Sequence, residues 1–111
     1  MKIKDLKIGT PFYRVYYEDI IELKIAKLSY EGMHYTWGND GASSFLKYAD
    51  HNIDLNTQFS IKLSEHHYLC IDAPSAQLMK RKYLKVKLDE KLQYLASIKK
   101  EIEELKQELN T

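Results

Sequence analysis

The sequence predicts an α+β protein: a curved antiparallel β-sheet or half-open barrel of five or six strands over residues 1–72, then one long helix over residues 73–111. Three observations carry this. All three phenylalanines and every tyrosine except Tyr83 and Tyr94 fall between residues 10 and 72, which is strand-like usage. The stretch after Pro74 contains no glycine and no further proline, so nothing interrupts a helix as far as Leu109. Within that helix Leu84, Leu88, Leu95, Ile98, Ile102, Leu105 and Leu109 occupy a and d positions of a heptad, the seam of a coiled coil.

The strands follow in order. Phe12 to Tyr17 sets Tyr13, Val15 and Tyr17 on one face and Phe12, Arg14 and Tyr16 on the other. Glu18-Asp19 reads as a turn into Ile20 to Tyr30. There Ile21, Leu23 and Ile25 alternate with charged residues before Ala26, Leu28 and Tyr30 take the opposite parity. A β-bulge near Ala26 accounts for that change of phase and bends the sheet. Glu31-Gly32 turns the chain into Met33 to Trp37, and Gly38-Asn39-Asp40-Gly41 is the strongest turn signal. Phe45 to Tyr48 reads as a short strand and Ala49 to Thr57 as a polar loop. Phe59 to Leu63, a turn at Ser64-Glu65 and His66 to Ile71 complete an antiparallel meander. Pro74 suits the first helical position, with Ser75 as an alternative N-cap.

The helix carries its charges against its own dipole. Lys80, Arg81, Lys82, Lys85, Lys87 and Lys91 lie near its start, and Glu101, Glu103, Glu104 and Glu108 near its end. A macrodipole favours the reverse by roughly 0.3–1 kcal/mol per well-placed charge. A bound anion or an oppositely charged partner would explain the arrangement. Some 36 helical residues span about 54 Å, too long to bury along a body of about 75 residues, so self-association through the heptad positions is expected. Packing of the stripe on the chain's own sheet is the alternative. A parallel pair sets Glu101 near Lys106 of its partner, whereas an antiparallel pair sets basic half against acidic half.

Net charge is +1, from 17 bases and 16 acids, so no global basic field for nucleic acid or membrane exists. One cysteine, Cys70, excludes an intramolecular disulfide and fits a reducing cytoplasm. Residues 1–5 show no signal-peptide character, and no stretch reaches membrane-spanning length. A cytoplasmic protein without a cofactor is the expectation. No nucleophile-elbow pattern and no poised carboxylate pair occurs, and Cys70 sits in an apolar strand, so catalysis is not expected. His66 and His67 are adjacent and point to opposite faces of a strand, while His34 and His51 are isolated, so no metal site is expected.

Two places favour ligand binding. The helix start offers free N–H groups beside Lys80, Arg81 and Lys82. Arg14 lies among Phe12, Tyr13, Tyr16 and Tyr17, and an arginine between aromatic rings suits a base and a phosphate. Tyr83, Tyr35 and Trp37 offer further stacking faces, unless they serve as core and cross-strand pairs.

Tyr13-Arg14-Val15, the strand Ile21 to Leu28, and a lysine-rich helix ending in Glu101-Ile102-Glu103-Glu104-Leu105 give a layout that resembles small phage-encoded sheet-plus-long-helix proteins. Within that group it is similar to the anti-Thoeris sponges, which sequester cyclic ADP-ribose signals between protomers. The resemblance implies a homo-oligomeric counter-defence protein that captures a cyclic nucleotide or cyclic ADP-ribose-type ligand at a subunit interface. On this reading Arg14 and Arg81 pair with phosphates, Lys80 and Lys82 supply field, and Tyr16 or Tyr83 stacks on a base. The alternatives are a protein–protein interaction module or inhibitor acting through the sheet or coiled coil, and a nucleic-acid binder acting through residues 80–91. The near-neutral total charge counts against the last.

Overall fold

The computed structural model describes residues 1–111. Six strands form one antiparallel sheet: β1 (Pro11–Tyr16), β2 (Asp19–Leu28), β3 (Gly32–Trp37), β4 (Ala42–Lys47), β5 (Ser60–Ser64) and β6 (His67–Cys70). The sheet curls into a half-barrel, and one helix, α1 (Ala73–Leu109), follows it. The strand order is β4-β3-β2-β1-β6-β5. The first four strands are a meander as expected, but the last hairpin does not continue it at β4. It returns to the other side of the sheet and pairs β6 with β1, Arg14 opposite Leu69 and Tyr16 opposite His67. The expected bulge is present, as a register shift between Ile25 and Lys27.

The connection from β4 to β5 therefore crosses the width of the sheet. It carries a 3-10 turn at Tyr48–His51 and is pinned by the amino-terminal segment. Ile3 N–H donates to Thr57 O at 3.0 Å, Lys4 N–H to Leu55 O at 2.9 Å and Phe59 N–H to Met1 O at 2.8 Å. Together these segments cover one face of the sheet and enclose the main core, with Ile3, Phe12, Leu23, Ile25 and Met33 almost fully buried. Burial of each such side chain contributes about 1.5–3 kcal/mol. Phe12 is central, its ring meeting Tyr35 and Phe59 edge-on at 5.8 and 5.3 Å.

The opposite face is covered only in its middle. There Val15, Cys70 and Ala76 bury one another, with Tyr13, Ile20, Tyr68 and Met79 around them. Thus α1 packs on β1, β6 and β2 through its first turns alone. The helix begins at Ala73, and its N-cap is Asp72, not Ser75: the Asp72 carboxylate accepts the Ser75 N–H at 2.8 Å. The rest of α1 projects from the body, giving overall dimensions of 72 × 30 × 21 Å. No helix is long and apolar enough to cross a membrane.

Several boundaries differ from the sequence expectation: β2 ends at Leu28 and not at Tyr30, and β4 begins at Ala42 and not at Phe45. β4 runs from Ala42 to Lys47, ending before Tyr48, because Tyr48 turns inward to join the core. The β1–β2 turn is Tyr17-Glu18 and the β5–β6 turn is Glu65-His66, each displaced by one residue.

Candidate functional site

The two displaced turns meet at one end of the sheet. Because β1 pairs with β6, the tip of the β1–β2 hairpin lies beside the tip of the β5–β6 hairpin. Tyr17 N–H donates to His66 O at 2.8 Å across them. Both residues are left-handed, with φ of +58° and +61°. That region suits glycine or asparagine and is costly for a bulky side chain. Such strain persists where surrounding contacts over-determine it, and it concentrates at functional positions.

The contacts that hold it are aromatic. The Tyr17 ring meets Tyr16 at 4.7 Å, His66 at 5.5 Å and Tyr83 of α1 at 5.3 Å. His66 meets Tyr83 at 4.9 Å, and Tyr16 meets His67 at 5.3 Å. Five rings thus wrap around the sheet end, from His67 on the core-bearing face to Tyr83 on the helix-bearing face. Lys87 Nζ lies 5.9 Å from the Tyr83 centroid. Tyr16 and Tyr17 remain substantially exposed, so the array presents ring surface to solvent.

Arg14 stands two residues before Tyr16, on the face shared with His67, Leu69 and Ile21. Its guanidinium forms no ion pair with any acid of the chain, and its Nε is shut off from solvent without a hydrogen-bond partner. His67 Nε2 is likewise enclosed and unpartnered. Burial holds the His67 imidazole below its ordinary range, and the charges of Arg14 and His51 push the same way. His51 is carried by the crossing 3-10 turn, so positive charge from β1 and from that turn both reach His67 on β6. An unpartnered buried polar atom costs about 1–3 kcal/mol, so both nitrogens weaken the fold where they stand.

The residues singled out in the sequence are only partly brought together. Tyr16 and Tyr83 join one array through Tyr17. Arg14 lies on the far side of the sheet from α1, so Arg14 and Arg81 do not face one surface. Lys80 is half-buried, Arg81 and Lys82 are exposed, and none of the three forms an ion pair within the chain. The helix start is served by the chain's own Asp72, whose carboxyl is held below the usual range by the Ser75 hydroxyl and N–H. Tyr35 packs edge-on to Phe12 and near Trp37, in the role of core and cross-strand partner. Leu84, Leu88, Leu95, Ile102, Leu105 and Leu109 are exposed along α1, and Ile98 is half-buried.

Sequence reasoning missed Tyr17, His51, His66 and His67 as members of this site. A signal was present: an aromatic pair, Tyr16-Tyr17, enters one turn, and a histidine pair, His66-His67, leaves another. The site is an open surface, since none of the surface clefts is lined by Arg14, Tyr16, His67 or Tyr83. Comparison with protein-family models, with curated proteins and with solved structures finds no match.

Proposed function

We propose that this protein is a non-catalytic binding protein that captures an anionic, ring-bearing ligand, a nucleotide by chemical class, at the joined hairpin tips. The observation that carries this reading is Arg14, a guanidinium without an ion pair, on the same sheet face as the exposed ring of Tyr16. A phosphate oxygen would pair with the outer edge of that guanidinium, and the tyrosine face would take the base. Tyr83, with Tyr17 and His66, extends the stacking surface around the sheet end. Lys80, Arg81 and Lys82 contribute field near Tyr83 and do not share a phosphate with Arg14. Ligand pockets ordinarily enclose most of their ligand, and this open surface does not, which supports a site closed by a second subunit. A phage-type counter-defence role, sequestering a nucleotide signal, is the setting that the sheet-plus-helix layout supplies. Cys70 offers no nucleophile, because burial, with help from the Asp72 charge, raises its thiol pKa.

Calorimetric titration with cyclic nucleotides and cyclic ADP-ribose isomers tests this. Saturable binding of a phosphate-bearing compound, absent with the matching nucleoside, is expected. Silence from all of them in a correctly assembled protein would contradict it. The openness of the surface favours a second reading, in which a protein with an acidic, aromatic-binding patch is the partner. Capture of a host protein by wild type but not by Arg14→Ala, with no small-molecule binding, would select it.

A further inference from the structure

We infer that the helix-bearing face of the sheet, where β3 and β4 run beyond the cover of α1, binds single-stranded nucleic acid. The ring pair His34 and Phe45 takes a base, and Lys24, Lys27 and Lys47 take the phosphates.

The strand register builds this surface. Lys27, His34 and Phe45 lie in one row across β2, β3 and β4, and Lys24, Thr36 and Ser43 lie in the next. On those strands the alternate side chains Leu23, Ile25, Met33 and Leu46 enter the core, so both rows stand on the other face. Lys47 follows Phe45 on that face, opposite Gly32. The helix packs on β1, β6 and β2, and no strand lies beyond β4, so the surface is open at the edge of the sheet.

The ring pair is held ready. His34 and Phe45 stack with centroids 4.5 Å apart and planes 32° apart, the most nearly parallel ring contact in the chain. A side chain at Gly32 would strike the Phe45 ring, so the glycine leaves the room that the ring occupies. Both rings belong to exposed residues. A base extends such a stack whatever its identity.

Charge selects the ligand. Lys24, Lys27 and Lys47 are exposed and form no ion pair within the chain. Strands β2 to β4 place one acid on the same face, Glu22, which lies beyond Lys24 and away from the rings. Lysines around a ring stack match a chain that alternates phosphate and base. An acidic peptide would meet the lysines and leave the rings without a partner, and a duplex keeps its bases stacked on one another. A net charge of +1 gives little long-range steering, so the cluster acts at contact. The surface is independent of the hairpin-tip site, because Arg14 lies on the core-bearing face.

Fluorescence anisotropy of an end-labelled oligothymidylate tests this. Wild type should bind, and its affinity should fall about 20-fold between 50 and 200 mM salt, as three single-strand phosphate contacts require. Phe45→Ala should weaken binding by about 5-fold or more, the loss of one base stack. The double variant Lys27→Gln/Lys47→Gln should cut the salt dependence to about a third. Both lysines are exposed, so this variant carries the test even where Phe45→Ala does not fold. Arg14→Met should bind the strand as wild type does, which separates this surface from the nucleotide site. No binding at 50 mM salt, or equal affinity in wild type and the lysine variant, overturns the inference. Polyglutamate binding as tightly as the oligonucleotide overturns it too, and assigns the surface to an acidic protein.

Discussion

Tyr17 and His66 hold each other in the left-handed region, φ +58° and +61°, with the Tyr17 N–H on the His66 carbonyl at 2.8 Å and their rings 5.5 Å apart. Neither conformation suits a bulky residue in isolation. Their coincidence at the one place where two hairpin tips touch makes this end of the sheet a built feature. It aims Tyr16 and Tyr17 outward on either side and brings Tyr83 of the helix into contact with both turns.

Arg14 costs the fold stability where it stands. Its Nε is enclosed and unpartnered, so Arg14→Met, which keeps the stem and removes the guanidinium, should leave stability unchanged or raise it by up to about 1 kcal/mol. Urea denaturation measures this. A loss well beyond 1 kcal/mol would make Arg14 a structural residue.

His67 should make the ligand-free protein acid-sensitive. Burial, then Arg14 and His51, depresses its folded pKa, while an unfolded histidine titrates near 6.5. Just below that value the unfolded chain binds the extra proton, so stability is full above about pH 6.5 and falls as pH drops toward the depressed folded value. Denaturation midpoints at pH 7.5 and 5.5 should show the decline, and His67→Phe should flatten it. A bound phosphate, favouring protonated His67, should reduce the slope as well. An identical slope in His67→Phe would assign the effect elsewhere.

How much of this was legible beforehand divides along a physical line. Alternating strands, the bulge at Ala26 and the uninterrupted helix depend on local pattern, and all three are present as read. The strand order is not local. It depends on the crossing segment being pinned by Ile3, Lys4 and Met1 over the main core, contacts between residues more than fifty positions apart. Both critical turns were placed one residue off for a related reason. Turn preferences assign left-handed positions to Gly, Asn or Asp, and here Tyr17 and His66 occupy them. The residues that defeated the turn rules, Tyr17 and His66, are the ones that join the two hairpin tips. Arg14 was legible from its aromatic neighbours in sequence, although Tyr13 lies on the opposite face and His67 is the neighbour that matters.

Gly32 should tolerate no side chain. A Cβ there would strike the Leu46 carbonyl oxygen and the Phe45 ring on β4, and both belong to the sheet edge. Gly32→Ala should therefore cost about 2–3 kcal/mol in a urea titration. A near-neutral result would mean that β4 packs less closely than described.

Cys70 should behave as an inert core thiol. It is buried against Val15 and Ala76, with its pKa raised by burial and by Asp72. A maleimide should leave the native protein unmodified at pH 8 and react fully once urea unfolds it. Rapid native labelling would show that the first turns of α1 lift from the sheet.

The central proposal is that Arg14, beside Tyr16, holds the anion of a nucleotide-class ligand. Titration calorimetry of wild type, Arg14→Met and Arg81→Met with cyclic ADP-ribose and a cyclic mononucleotide tests it most directly. The account predicts saturable binding by wild type and a loss of about 10–100-fold in Arg14→Met, the worth of a charged hydrogen bond, with a smaller loss in Arg81→Met. Equal affinity in wild type and Arg14→Met, or no binding by wild type to either ligand, would contradict it.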